Sequence, residues 1–184
     1  MLFKKTVSTL LLSAAFASFA QADVKVGVIT SSTGPIALVG LPQKNSVPLL
    51  PAQAGDQKVT YISLDDASDP TATVKALKKL IDEDNVDAII GPSGSPNAMG
   101  VLQFVAEAGV PLLAPVGTAA VVLPMTEQKK WVLKTTQNDD LIAKALFENM
   151  HKKGIKTLGF IGTADPYGEN WAKVVSGLAA ENNI

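Results

Sequence analysis

Val86-Asp87-Ala88-Ile89-Ile90-Gly91-Pro92-Ser93-Gly94-Ser95-Pro96 is the stretch on which the fold turns. Val86–Ile90 is a short apolar run closed by Gly-Pro, which reads as a buried strand. The glycine- and serine-rich loop that follows ends in Ser95-Pro96, an N-cap with proline at the first helical position. The spacing predicts a helix over Asn97–Ala108 that buries Ala98, Val101, Leu102 and Val105. Gly109 stands where helices stop. Strand, loop and helix in that order make one unit of a parallel sheet.

The same unit recurs on both sides. Upstream, Val24–Thr30 and Lys58–Leu64 alternate as strands. Asp69-Pro70 caps a helix that runs to about Glu83, with Val74, Leu77, Leu80 and Ile81 on one face. A helix is expected over Leu41–Leu50, with Pro48 ending or kinking it. Downstream, Pro111–Pro115 and Trp131–Thr136 read as strands, and Gly117–Ala120 opens a helical turn. Asn138-Asp139 starts a helix that stops at Gly154. Lys156–Gly162 is expected as a further strand, and a last helix spans about Glu169–Glu181. The fold class is α/β, a parallel doubly wound sheet with helices on both faces. In such sheets ligands bind outside the carboxyl ends of the strands. The loops at Ser31–Pro35, Gly91–Pro96, Val116–Ala120 and Thr163–Asn170 are therefore the candidate site.

The chain has 184 residues, 47% hydrophobic and 18% charged, a globular composition. There is no cysteine, which excludes disulfides, thiolate metal sites and a cysteine nucleophile. One histidine, His151, excludes a multi-histidine metal centre. No arginine occurs, and the net charge of −1 argues against a nucleic-acid surface. Lys4 and Lys5, the apolar run Leu10–Ala20 and Ala20-Gln21-Ala22 follow the order of a secretory signal peptide. Residues 1–22 are expected to be removed, leaving an exported, soluble chain in a Gram-negative periplasm. Residues 23–137 are expected to form one α/β lobe. From 138 to 184 only helix, strand and helix remain, too little to enclose a core. That stretch is expected to begin a second lobe, and the chain is expected to be truncated.

Three groups of side chains invite chemistry. Ser93 sits near the G-x-S-x-G pattern of a nucleophile elbow, but the last glycine is missing. Its only histidine partner, His151, falls at a helix C-terminus beside Lys152 and Lys153, where it faces the helix dipole. The loops holding Ser93 and Ser95, and Val116, Gly117 and Thr118, offer free N–H groups and hydroxyls suited to an anion. Asp65, Asp66 and Asp69 cluster at a strand end. Their spacing fits no calcium loop, and capping is the expectation. Tyr167 stands in another strand-end loop, where it either walls a cleft or packs on its own turn. No dinucleotide or P-loop pattern occurs, and no cofactor or metal is expected.

At these loops the chain resembles the periplasmic substrate-binding proteins of branched-chain amino-acid ABC transporters. The matching stretches are Val24–Ile29 with Thr33-Gly34-Pro35, Leu64–Pro70, Ile89–Ser93, Leu112–Pro115 with Thr118-Ala119, and Tyr167-Gly168-Glu169. The resemblance implies a type I periplasmic-binding-protein fold with two lobes closing on a ligand. It implies that Ser93 or Ser95 meets a ligand carboxylate. Val116 would offer its carbonyl to an ammonium, Thr118 its hydroxyl, with Gly117 between them. Tyr167 would face the cleft. Val39 stands where leucine-binding members carry tyrosine, which weakens a claim for leucine.

The function expected is a non-enzymatic receptor for a small amino acid or related carboxylate. It would deliver that ligand to an inner-membrane ABC permease, as a monomer and without nucleic acid. Two alternatives stand beside it: a serine hydrolase using Ser93, and a ligand-sensing module with no role in transport.

Overall fold

The computed structural model describes residues 23–184. The expected signal peptide lies outside the described residues. Six strands form one sheet: β1 (Val24–Thr30), β2 (Gln53–Ala54), β3 (Gln57–Asp65), β4 (Ala88–Ile90), β5 (Leu112–Ala114) and β6 (Val132–Lys134). Their spatial order is β2-β3-β1-β4-β5-β6. All neighbours pair parallel except β2, which joins β3 as an antiparallel hairpin across Gly55-Asp56.

Five α-helices accompany the sheet: α1 (Ala37–Ser46), α2 (Pro70–Lys78), α3 (Ser95–Ala108), α4 (Asp139–Lys152) and α5 (Pro166–Asn182). A wider π turn, Lys79–Glu83, extends α2. Register explains how the faces divide. Gly27, Ile89, Leu112 and Val132 lie in one row across four strands. On this face the core closes with Ile29 against Leu77 and Leu80 near α2 and Val101, Leu102 and Val105 of α3. Leu80 packs so close to Gly27 that a Cβ there would collide with it. On the opposite face Val28, Ile90, Leu113 and Leu133 form the second row. Among the described residues α1 and the turn after it lie over one end of that face: Val28 is 3% exposed, Ile90 and Leu113 are half-buried, and Leu133 is 55% exposed.

Several boundaries differ from the sequence reading, each for a local reason. The first helix starts at Ala37 instead of Leu41, because the Gly34-Pro35 turn nucleates it through Ala37 N–H to Gly34 O. Pro42 therefore falls inside it, on an exposed side. Pro48 ends it as expected, within a 3₁₀ turn at Val47–Leu49. Gly94, not Ser95, is the N-cap residue of α3. The last helix begins at Pro166, where Asp165 accepts the N–H groups of Tyr167 and Gly168.

The largest correction concerns Lys156–Gly162. This stretch forms no strand and is exposed throughout, with Ile161 at 99%. Its β-branched pattern suits a strand, but it has no partner strand among the described residues. A strand needs a neighbour for its N–H and C=O groups. The helices on either side, α4 and α5, pack on each other instead. They share a small core of Ala143, Phe147, Met150, Val175 and Leu178.

Candidate functional site

The strand order puts the carboxyl ends of β1, β4 and β5 side by side. The loops predicted to carry the site, after Thr30, Ile90 and Ala114, therefore meet along one edge of the sheet. Gly91 allows this closeness. It sits at φ +115°, and a Cβ there would collide with the Ile29 carbonyl of β1.

Asp66 is the hub beneath these loops. It is fully buried and accepts four hydrogen bonds: Ser31 Oγ at 2.6 Å, Ser68 N at 2.9 Å, Thr73 Oγ1 at 2.9 Å and Asn97 Nδ2 at 2.9 Å. One carboxylate thus fixes the tips of β1 and β3 and the first turns of α2 and α3. Asp65 accepts from Thr33 Oγ1 at 2.8 Å and Ala67 N at 2.9 Å. Burial pushes the Asp65 carboxyl up, but the hydrogen bonds from Ala67 and Thr33 outweigh it and hold the group below its ordinary value. Asp69 caps α2 by accepting Ala72 N at 2.6 Å. All three carboxylates thus have protein donors, but only Asp69 caps a helix as expected; Asp65 and Asp66 tie loops together instead.

Ser93 is buried and doubly engaged. Its Oγ accepts Ser31 N–H at 3.0 Å and donates to Gln43 Oε1 of α1 at 2.5 Å. Sequence reasoning missed Gln43, because the contact joins residues 50 apart and no local spacing announces it. Ser95 is buried at the first turn of α3, whose N-terminus no side chain caps. The N–H groups there remain available to an anion.

On the neighbouring tip, Thr118 is fully buried and its Oγ1 caps a 3₁₀ turn, Ala119–Val121, by accepting Ala120 N at 3.2 Å. The Val116 carbonyl accepts Thr136 Oγ1 at 2.6 Å. Gly117 lies against Asp139 of α4, so closely that a Cβ would reach the carboxylate. Asp139 is itself buried and accepts Asn170 Nδ2 of α5 at 2.7 Å. Burial is the main cause that raises its carboxyl above the ordinary value. The Asn170 hydrogen bond and the Lys134 charge oppose that rise only in part. Lys134 Nζ donates to the carbonyls of Thr136 and Gln137, at 2.8 and 2.7 Å, and braces the crossing segment.

Tyr167 is 45% exposed and stacks edge-on against Trp171, with ring centroids 6.4 Å apart. The Trp171 indole N–H is buried and faces the Asp139 carboxylate, whose charged form it favours, without closing to a full hydrogen bond. His151 lies exposed in the last turn of α4. The Ser93 proton is directed at an amide oxygen, which is no general base.

Residues 23–184 match the profile of the periplasmic binding protein family. A Leu/Ile/Val-binding protein of Rhizobium johnstonii, BraC3, is 32% identical over 166 residues, covering 84% of this chain and 44% of its own length. Among solved structures, an extracellular ligand-binding receptor from Rhodopseudomonas palustris HaA2 superposes with a TM-score of 0.86 at 41% identity. The match covers 89% of this chain and 45% of the receptor. A second extracellular ligand-binding receptor from the same strain gives a TM-score of 0.82 at 31% identity, over 89% and 44%. The chain spans less than half the length of these relatives. The sheet order and these likenesses agree: the chain belongs to the periplasmic binding protein family, with that family's type I fold.

Proposed function

We propose that this chain is the ligand-recognition lobe of a periplasmic solute receptor. The receptor captures a small amino acid or related carboxylate and presents it to an inner-membrane ABC permease. It acts by binding, without turnover. The observation that carries this reading is the uncapped N-terminus of α3, set in the Gly91–Ser95 loop between the tips of β1 and β5. With no arginine in the chain, a carboxylate is met by N–H groups and hydroxyls. Each such bond to a charged group is worth about 1.5–3 kcal/mol.

Ser93 has its hydroxyl proton committed to Gln43, so Ser95 is the serine left to meet the carboxylate. The Val116 carbonyl and Thr118 hydroxyl would hold the ligand's other polar groups, with Gly117 letting the backbone approach. Tyr167 would close the site from α5. Residues 23–137 form the lobe that carries the headgroup, and 138–184 open the lobe that closes on it. The relative named for leucine, isoleucine and valine supports an amino-acid ligand.

Isothermal calorimetry of the complete gene product against a panel of amino acids and small carboxylates tests this. One member should bind at micromolar affinity or better, and Ser95→Ala should weaken it about tenfold. No heat from any member, together with hydrolysis of a nitrophenyl ester that Ser93→Ala abolishes, would replace the receptor with a hydrolase.

A further inference from the structure

Asp139 joins two parts of the proposed cleft. It begins α4, and its carboxylate lies against Gly117 in the Val116–Thr118 loop. Its Oδ2 accepts Asn170 Nδ2 of α5 at 2.7 Å, and the buried Trp171 indole N–H faces the same carboxylate. Trp171 in turn meets Tyr167 edge-on, with the ring planes 69° apart. Tyr167, Asn170 and Trp171 fall at i, i+3 and i+4 on α5, and so share one face of that helix. An unbroken line of contacts therefore runs from the loop, through Asp139, to the aromatic side chain set to close the site.

A carboxylate suits that place for a chemical reason. It has two acceptor oxygens and no donor, so it can face an amide N–H and an indole N–H together. Keeping it there is costly. Asp139 is 3% exposed, and burial raises its carboxyl more than the Asn170 hydrogen bond and the Lys134 charge from β6 lower it; Asp140 beside it adds to the rise. An acid held against its own solvation, next to a ligand loop, marks function more than stability. We propose that Asp139 is a positioning residue for ligand capture: through Asn170 and Trp171 it fixes Tyr167 relative to the Val116–Thr118 loop. This rests on the receptor reading above and adds to it a residue that acts through others.

Calorimetry on the complete gene product tests it, with the tightest binder of a panel that includes leucine, glutamate, isocaproate and para-hydroxybenzoate. Asp139→Asn keeps the outline but offers one acceptor oxygen in place of two. Trp171→Phe keeps a ring beside Tyr167 but removes the N–H. Each should weaken binding about tenfold, the size of one hydrogen bond to a charged group. The double variant should lose little more than either single one, because both cut the same link. The free Asp139→Asn protein should melt no lower than the parent at pH 7, since a buried charge is gone. In fluorine NMR of protein labelled with 5-fluorotryptophan, the Trp171 resonance is identified by its absence from Trp171→Phe. It should shift on ligand addition in the parent and stay in place in Asp139→Asn. Affinity unmoved in both single variants, losses that multiply in the double variant, a melting temperature that falls along with affinity, or a Trp171 shift kept in Asp139→Asn overturns the assignment and leaves the receptor intact. A parent protein that binds no member of the panel overturns the receptor reading, and this role with it.

Discussion

Asp66 and Asp139 are both buried carboxylates, and they differ in how many donors meet them. Asp66 is surrounded by four donors from four different segments. Asp66→Ala should cost about 3 kcal/mol or more in urea unfolding, since those donors would be left buried and unpaired. Asp66→Asn should cost less, because the Ser31 and Thr73 hydroxyls can turn to suit an amide.

The pH responses of Asp65 and Asp139 have opposite signs. The lowered value of Asp65 adds stability that is present above the unfolded value of about 3.9 and is lost as pH falls through the folded value. The raised value of Asp139 favours its protonated form, so stability declines as pH rises from about 3.9 through the folded value. Thermal melts at acid pH should separate them. Asp139→Asn should remove the decline in the upper window, and Thr33→Val should reduce what Asp65 contributes above the lower one. What the sequence revealed at this scale was the local part. Asp69 and Gly109 act within one helical turn, and their spacing gives them away. Asp66 to Asn97 and Ser93 to Gln43 span 31 and 50 residues, so only the folded chain brings them together.

At the scale of elements, hydrophobic period and turn chemistry located five of the six strands and all five helices. The short β2 hairpin was missed, although Gly55-Asp56 is a two-residue hairpin turn. The one false strand, Lys156–Gly162, shows what period leaves out: it marks a segment able to pair, not the presence of a partner. Two glycines test how the elements meet. Gly91→Ala must place a Cβ against the Ile29 carbonyl at φ +115°, and should abolish soluble expression or cost several kcal/mol, about 3 or more. Gly100 lies inside α3, exposed, with the nearest atom to an added Cβ at 4.0 Å. Gly100→Ala should therefore stabilise by about 0.5–1 kcal/mol, read from the same melts.

At the scale of the whole molecule, the sheet is finished on one side and bare on the other. A parallel sheet is ordinarily covered on both faces. Here α1 and the turn after it shelter Val28 and part of Ile90, and cover fades along the row to the exposed Leu133. Residues 23–184 alone should therefore enhance the fluorescence of an apolar dye, and Leu133→Lys should reduce that signal without lowering the melting temperature. The sequence pointed to an α/β sheet with ligand loops at its carboxyl edge. It did not disclose the bare face, because Ile90, Leu113 and Leu133 read like any buried strand residues.

The unpaired stretch from Ile155 to Thr163 also separates two kinds of connection. It is exposed along its whole length and contains Lys156, so trypsin should nick the chain there early. The α5 helix beyond the cut stays seated through Val175 and Leu178 on Phe147 and Met150, and through Asn170 on Asp139. A digested sample should thus show two bands on a denaturing gel yet elute as a single species under native conditions. Peptide continuity and tertiary cohesion would then be visibly different things in one small protein.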